Sequence, residues 1–159
     1  MKISRRDFFK KAGQSAIVLA VPAIASTILE SCNNNLTNPT ANSSTLQNIN
    51  GTFANGVVKV TVDSSSPLNK TGSAVMVNFN NGQLLVDHPS ANSFNALSPI
   101  CTHQGCLITN YDSGSNQFVC PCHGSHFDAN GNVVSGPAPS SLQKYQTQFA
   151  SNTLTINAG

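Results

Sequence analysis

Beyond roughly its first fifty residues the sequence predicts an all-β fold. Three observations carry this. Short β-branched runs show partial two-residue alternation, Gly, Asn and Pro punctuate them, and no helical periodicity follows the N-terminal segment. Residues 57–62 (VVKVTV) and 74–79 (AVMVNF) read as the first two strands. Asn81-Gly82 is a two-residue hairpin signal, with residues 83–87 as the returning strand. Residues 94–98, 117–119, 145–150 and 153–156 supply further short strands. There is no internal repeat. Such short strands separated by turn residues imply a sandwich or barrel.

The chain has 159 residues, enough for one domain. Charged residues are only 9% of it, so Asn, Ser and Thr supply much of the polar surface. Residues 1–31 hold five Lys/Arg against Asp7 and Glu30, a balance of +3, whereas residues 32–159 hold three lysines against four aspartates, a balance of −1. With no basic patch in the body, binding to a phosphate backbone has no electrostatic basis, and nucleic acid is excluded as a partner.

Residues 1–31 read as an export signal. Arg5-Arg6 with Phe8-Phe9 precedes the apolar run 16–29, which Pro22 interrupts. The adjacent arginines resemble the twin-arginine motif. A retained membrane anchor is the rival, although spanning takes about 20 apolar residues. Leu29-Glu30-Ser31-Cys32 resembles a lipobox, which makes Cys32 the expected lipid attachment site, with Glu30 departing from the pattern. Ala23-Ile24-Ala25 offers another cleavage site. Residues 32–50 then read as the anchor cysteine and a flexible Asn/Ser/Thr tether, with residues 51–159 as the folded domain. This organisation predicts a protein tethered to a membrane on its extracytoplasmic side.

The other four cysteines and three of the four histidines occupy two segments. One is Cys101-Thr102-His103-Gln104-Gly105-Cys106, and the other runs Cys120-Pro121-Cys122-His123-Gly124-Ser125-His126-Phe127-Asp128. Their spacing is C-x-H, sixteen residues, then C-x-x-H, with one further cysteine in each. Two loops can thus each offer a thiolate and an imidazole to one site. Such ligands suit zinc or an iron–sulfur centre. The C-x-H half fits the usual spacing of structural zinc poorly.

The pattern resembles the Rieske [2Fe–2S] proteins, in which two histidines replace two cysteines on one iron. The resemblance covers roughly residues 94–145 and implies an antiparallel β-sandwich with two cluster-binding loops. It makes Cys101 and Cys120 ligands of one iron and His103 and His123 ligands of the other, with one cluster per chain. It also implies a Cys106–Cys122 disulfide joining the loops, as in the high-potential branch and unlike the similar oxygenase ferredoxins. Gly136-Pro137-Ala138-Pro139 is similar to the family's proline loop, which covers a third side of the cluster.

Mixed ligation leaves such a cluster less negative than four thiolates would, with potentials of about −150 to +300 mV against about −400 mV for plant-type clusters. Ser125 stands where high-potential members place a serine hydroxyl on a bridging sulfide. Phe127 stands where they place a tyrosine, and phenylalanine has no donor. An intermediate-to-high potential follows. Iron ligation is also expected to acidify the outer nitrogens of both histidines.

The function implied is one-electron transfer by a membrane-tethered carrier whose partners are a cytochrome or an oxidoreductase subunit. The alternatives are the Rieske subunit of a quinol-oxidising cytochrome complex, with His123 meeting quinol, or the small subunit of an arsenite-oxidase-type enzyme. Gln104 stands where quinol-oxidising members usually carry leucine, which weighs against the first. No second catalytic centre is visible, so a stand-alone enzyme is not expected. His126 and His88 read as loop residues without a metal role, and Asp128 as a turn former with Gly131.

Overall fold

The computed structural model describes residues 43–159. The expected export signal and Cys32 lie outside the described residues.

Among the described residues fourteen strands follow one another, with one short 3-10 turn (Pro67–Asn69) between them. They are β1 (Ser43–Thr45), β2 (Gln47–Asn50), β3 (Thr52–Ala54), β4 (Val57–Thr61), β5 (Ala74–Phe79), β6 (Gly82–Ser90) and β7 (Ser93–Leu97). Then come β8 (Asn110–Asp112), β9 (Gln117–Val119), β10 (His126–Phe127), β11 (Val133–Ser135), β12 (Lys144–Tyr145), β13 (Thr147–Ala150) and β14 (Thr153–Asn157). Three sheets result, in the orders β1-β8-β9-β10-β11, β12-β7-β6-β5-β2 and β13-β14-β4-β3. The all-β expectation holds. Every strand pair is antiparallel except β2 with β5.

The β12-β7-β6-β5-β2 sheet is the middle layer, and its strands show why the apolar runs are continuous. Val75, Val77, Leu84, Val86, Phe94 and Ala96 face one core with Val58, Val60, Leu154 and Ile156. Their neighbours Met76, Leu85 and Leu97 face a second core with Tyr111, Phe118, Phe127, Cys101 and Cys120. A strand buried on both faces has no polar side to alternate with. β4 covers only one face, so Val58 and Val60 are buried while Lys59 and Thr61 are exposed.

Four expectations are corrected. Residues 43–50, assigned above to the flexible tether, are two strands of the domain. β1 pairs with β8 and β2 with β5, while Leu46 enters one core and Ile49 packs on the other. Two apolar anchors and backbone pairing suffice to order a segment whose composition is otherwise polar. The hairpin turn lies at Asn80-Asn81 rather than Asn81-Gly82, because Gly82 pairs with Phe79. The ring of Phe79 packs over Gly82, its Cζ 3.6 Å from where a Cβ on residue 82 would sit, an ordinary contact distance. The expected strand 145–150 breaks into β12 and β13, which belong to different sheets. His88 lies within β6 rather than a loop; its Nδ1 is 2.8 Å from the Leu68 carbonyl oxygen and its ring stacks on Phe94.

Candidate metal centre

Two loops, one leading from β7 to β8 and one from β9 to β10, share the same backbone design. In the first, the Cys101 N–H donates to the Cys106 carbonyl (2.8 Å) and Gly105 N–H donates back to Cys101 (2.9 Å). In the second, between β9 and β10, Cys120 N–H donates to the Ser125 carbonyl (2.9 Å) and Gly124 N–H to Cys120 (3.0 Å). Each loop therefore closes from residue i to i+5, with glycine at i+4 in the left-handed region (φ 73° and 68°). That is the conformation in which glycine avoids the Cβ penalty. The repeated C-x-x-x-G spacing is a signal of this shared turn that the reading of ligand types alone passes over.

The loops bring the candidate ligands together in two pairs, Cys101 with Cys120 and His103 with His123. Cys101 and Cys120 are free thiols, each 1% exposed. His103 is half-buried and His123 exposed, and their Nδ1 atoms converge to 3.2 Å with the rings near perpendicular (87°). Burial pushes the Cys120 thiol up from its ordinary value, Cys122 and His123 backbone N–H groups pull it down, and neighbouring Cys101 raises it. Two buried thiols and two converging imidazole nitrogens on one pair of loops fit the donor set that a [2Fe–2S] cluster with mixed ligation would need.

Cys106 and Cys122 are joined by a disulfide (S–S 2.13 Å, Cα–Cα 6.5 Å), which staples one loop to the other. The segment 136–140 closes a third side. Ser125, fully buried, accepts the Ala138 N–H at its Oγ (3.2 Å), so its own hydroxyl proton is left to donate elsewhere. Thr102 Oγ1 donates to the Ser140 carbonyl (2.6 Å). Neither contact has a local sequence signal, since each joins residues far apart in the chain. Gln104 is exposed, and Phe127 is fully buried in the core that holds Cys101 and Cys120. His126 lies apart from this group on β10, its Nδ1 3.0 Å from Gln117 Oε1. Asp128 forms the expected turn, accepting from the N–H groups of Asn130 and Asn132 (both 2.8 Å) at Oδ1 and from Gly131 N–H (2.9 Å) at its carbonyl.

Gly136 permits this closure. A Cβ there would lie 2.6 Å from Ser125 Cα and 2.7 Å from the Gly124 carbonyl oxygen, at φ 91°. Gly136→Ala is expected to destabilise the domain by about 2–3 kcal/mol, because backbone must shift on top of the left-handed strain. Gly105→Ala meets nothing within 4 Å and is expected to cost only about 1–2 kcal/mol. Urea unfolding midpoints of the two variants check the order.

A family model described as the Rieske [2Fe-2S] domain matches residues 58–146. The cytochrome b6-f complex iron-sulfur subunit of Parasynechococcus marenigrum (strain WH8102) is 52% identical over 59 residues, 37% of this chain and 33% of that protein. The subunit of the same name from Prochlorococcus marinus (strain AS9601) is 63% identical over 46 residues, 29% of this chain and 25% of that protein. The matched stretch thus spans a third or less of these relatives' length. Among solved structures, the plasma membrane Rieske protein PetC3 of Synechocystis PCC 6803 superposes with a TM-score of 0.52 at 37% identity, covering 62% of this chain and 99% of that one. The ferredoxin of carbazole 1,9a-dioxygenase from Nocardioides aromaticivorans IC177 shares the fold (TM-score 0.50, 19% identity, 64% of this chain and 98% of that one).

Proposed function

As the chain belongs to the Rieske [2Fe–2S] domain family, we propose that it passes single electrons between two redox partners, with Cys101 and Cys120 holding the inner iron and His103 and His123 the outer. The observation that carries this is the convergence of the two Nδ1 atoms to 3.2 Å at the surface, on the same two loops that bury the thiols of Cys101 and Cys120. The cluster supplies the one-electron chemistry. The chain's own residues supply the rest. Buried Cys101 and Cys120 keep water from the inner side. The solvent-facing His123 gives a partner a short path to the site. The disulfide, the Thr102–Ser140 bond and the Ser125–Ala138 bond hold three loops in one arrangement, which keeps reorganisation small as charge changes.

The Ser125 hydroxyl is left with a proton to donate toward cluster sulfur, which favours the reduced state. Ser125→Ala is expected to lower the midpoint potential by about 60 mV, the one-electron equivalent of a differential interaction of about 1.4 kcal/mol. Phe127 adds no second donor, so the potential falls below that of members with both.

A carrier tethered through Cys32 on the extracytoplasmic side matches the leader and the disulfide, which persists in oxidising compartments. Among the described residues no helix is long and apolar enough to cross a membrane. A second reading, a Rieske subunit of a quinol-oxidising complex, draws on the relatives named for the cytochrome b6-f complex. It also draws on Ile100 and Leu107, exposed at 48% and 38% and bridged at the base of the first loop.

A redox titration of the membrane-derived protein decides the function. A reversible one-electron wave in the Rieske range supports the carrier. A colourless zinc protein with no wave overturns both readings. Co-purification of a quinol-oxidising cytochrome complex with the chain selects the second.

A further inference from the structure

The family match begins at residue 58, and residues 43–50 lie ahead of it. They nevertheless run along the base of the first loop. The stem of that loop is a short ladder in which Cys101 N–H donates to the Cys106 carbonyl (2.8 Å), Ile100 bridges Leu107, and Ile108 N–H donates to the Pro99 carbonyl (2.8 Å). One residue further on, the Thr109 carbonyl accepts the Leu46 N–H (2.7 Å), and residues 110–112 pair with β1. The Leu46 side chain, 6% exposed, enters the same apolar core as Cys101 and Ile108. The chain then crosses to β2, which pairs with residues 75–78 of β5, and Asn78 Nδ2 donates to Asn48 Oδ1 (3.1 Å). Leu46 is thus the one buried side chain of an arm that ties the stem of the first loop to the middle layer. A cavity of about 240 Å³ opens beside the arm, and its lining includes Leu46, Met76 and Leu107. Leu46 and Met76 also belong to the core that holds Cys101, so shortening Leu46 deepens the cavity toward that core.

From this placement we propose that Leu46 is a positioning residue for electron transfer. Acting through Thr109 and Ile108, it fixes the base of the first loop, and with it Cys101 and His103, and it keeps water from the inner side of the site. The inference rests on the reading of Cys101 and His103 as cluster ligands, and it extends the working site to an arm outside the matched family domain. The disulfide ties the first loop to the second at Cys106, and the arm ties the other end of the same stem to the middle layer. Neither constraint replaces the other. An arm of two short strands with one apolar anchor opens at a lower cost than the whole domain unfolds. Its opening takes the partner from the Thr109 carbonyl and exposes the core beside Cys101 to solvent. The firmness of the arm therefore sets how long the site holds its iron and how dry its inner side stays.

The test uses the cluster-loaded full chain as wild type, Leu46→Ala, Leu46→Met and Val60→Ala. Val60, on β4 and 2% exposed, belongs to the other core, so its variant reports a loss of global stability alone. Iron loss to a ferrous chelator with ascorbate is followed by bleaching, at urea concentrations that give the variants equal global stability. Leu46→Ala is expected to lose iron at least about tenfold faster than Val60→Ala, because its lost contacts fall on the local opening of the arm. Its midpoint potential is expected to rise, since water on the inner side favours the more negative, reduced state, while Val60→Ala keeps the wild-type value. Leu46→Met, apolar and of similar volume, restores both. Leu46→Val, expected to shift both readings less and in the same directions, serves where Leu46→Ala does not fold. Equal iron loss and equal potentials in the Leu46 and Val60 variants would overturn the inference and leave the ligand reading standing. A wild-type chain that takes up zinc and no reducible cluster would bring down the ligand reading and the inference with it.

Discussion

Cys120→Ser is expected to leave the purified chain without its two irons and without visible absorption, while the three sheets remain folded. Cys120 is 1% exposed, and burial already opposes its ionisation. A thiolate at that position is therefore worth forming only against a cation, and a serine hydroxyl ionises far less readily than a thiol. Its side chain projects into the core shared with Phe118, Phe127 and Leu142, so the smaller oxygen leaves the packing nearly intact. Loss of cluster binding also removes the stabilisation that any tightly bound group confers on the folded state.

Cys106→Ser separates ligation from bracing. It opens the disulfide, which closes a separation of 16 residues, and costs about 3 kcal/mol of stability on the chain-entropy estimate. The four proposed ligands are untouched by the change, so iron is expected to load in reducing medium and to be lost faster on dilution. Iron analysis and thermal unfolding of the two variants check the pair. Full iron content in Cys120→Ser would remove that residue from the ligand set.

Asp87→Asn is expected to change how stability depends on pH. Asp87 lies on β6, is 1% exposed, and has no hydrogen-bond partner at either carboxylate oxygen. Burial pushes its pKa from 3.8 to about 7, against the pull of Asn95, its cross-strand neighbour on β7, and of Lys144 on β12, while Asp128 adds to the rise. Tyr111 on β8 is driven to about 12 by burial first and then by Asp87 and Asp112. The sign follows from proton counts. Between pH 3.8 and about 7 the folded chain keeps a proton that the unfolded chain has released.

Stability contributed by the protonated form is therefore present at low pH, is lost as pH rises through that window, and levels off above it. The full span corresponds to an upper limit of about 4 kcal/mol, and local relaxation brings the expected slope nearer to about 2 kcal/mol. Asparagine mimics the neutral carboxylic acid at every pH. Its variant is expected to be flatter across the window and more stable than wild type at neutral pH, as read by urea unfolding at a series of pH values. Parallel curves for the two proteins would show that Asp87 is not the group responsible.

The middle layer was the most legible part of the fold. β5 coincides with the expected strand, because a strand packed on both faces writes an uninterrupted apolar run; β9, in a different sheet, also coincides with its expected span. β1, β2, β3, β8, β10 and β11 went unread. Each has only two to four residues, too few for an alternation to register, and draws its order from pairing with another strand, not from its own pattern. The turn at Asn55-Gly56, with φ of 52° and 78°, carries the Asn-Gly signal that the sequence reading had assigned one hairpin later.

The candidate ligands were legible because metal chemistry restricts residue type and spacing together. The pairing of Cys106 with Cys122 followed only from the family resemblance, since spacing alone leaves other pairings open. The straps were not legible at all. Thr102 meets Ser140 across 38 positions, and Ser125 meets Ala138 across 13. Serine and threonine form such contacts with any suitably placed carbonyl or amide, so their identity carries no address.

Paramagnetic resonance of the dithionite-reduced protein, with and without nitrogen-15 in its histidines, tests the two-thiolate, two-imidazole site most directly. A [2Fe–2S] signal with average g well below that of all-cysteine clusters is expected, with nitrogen couplings from two imidazoles that change on labelling. A fully metal-loaded protein with no reducible signal, or a signal without histidine nitrogen coupling, would contradict the assignment of His103 and His123 as ligands.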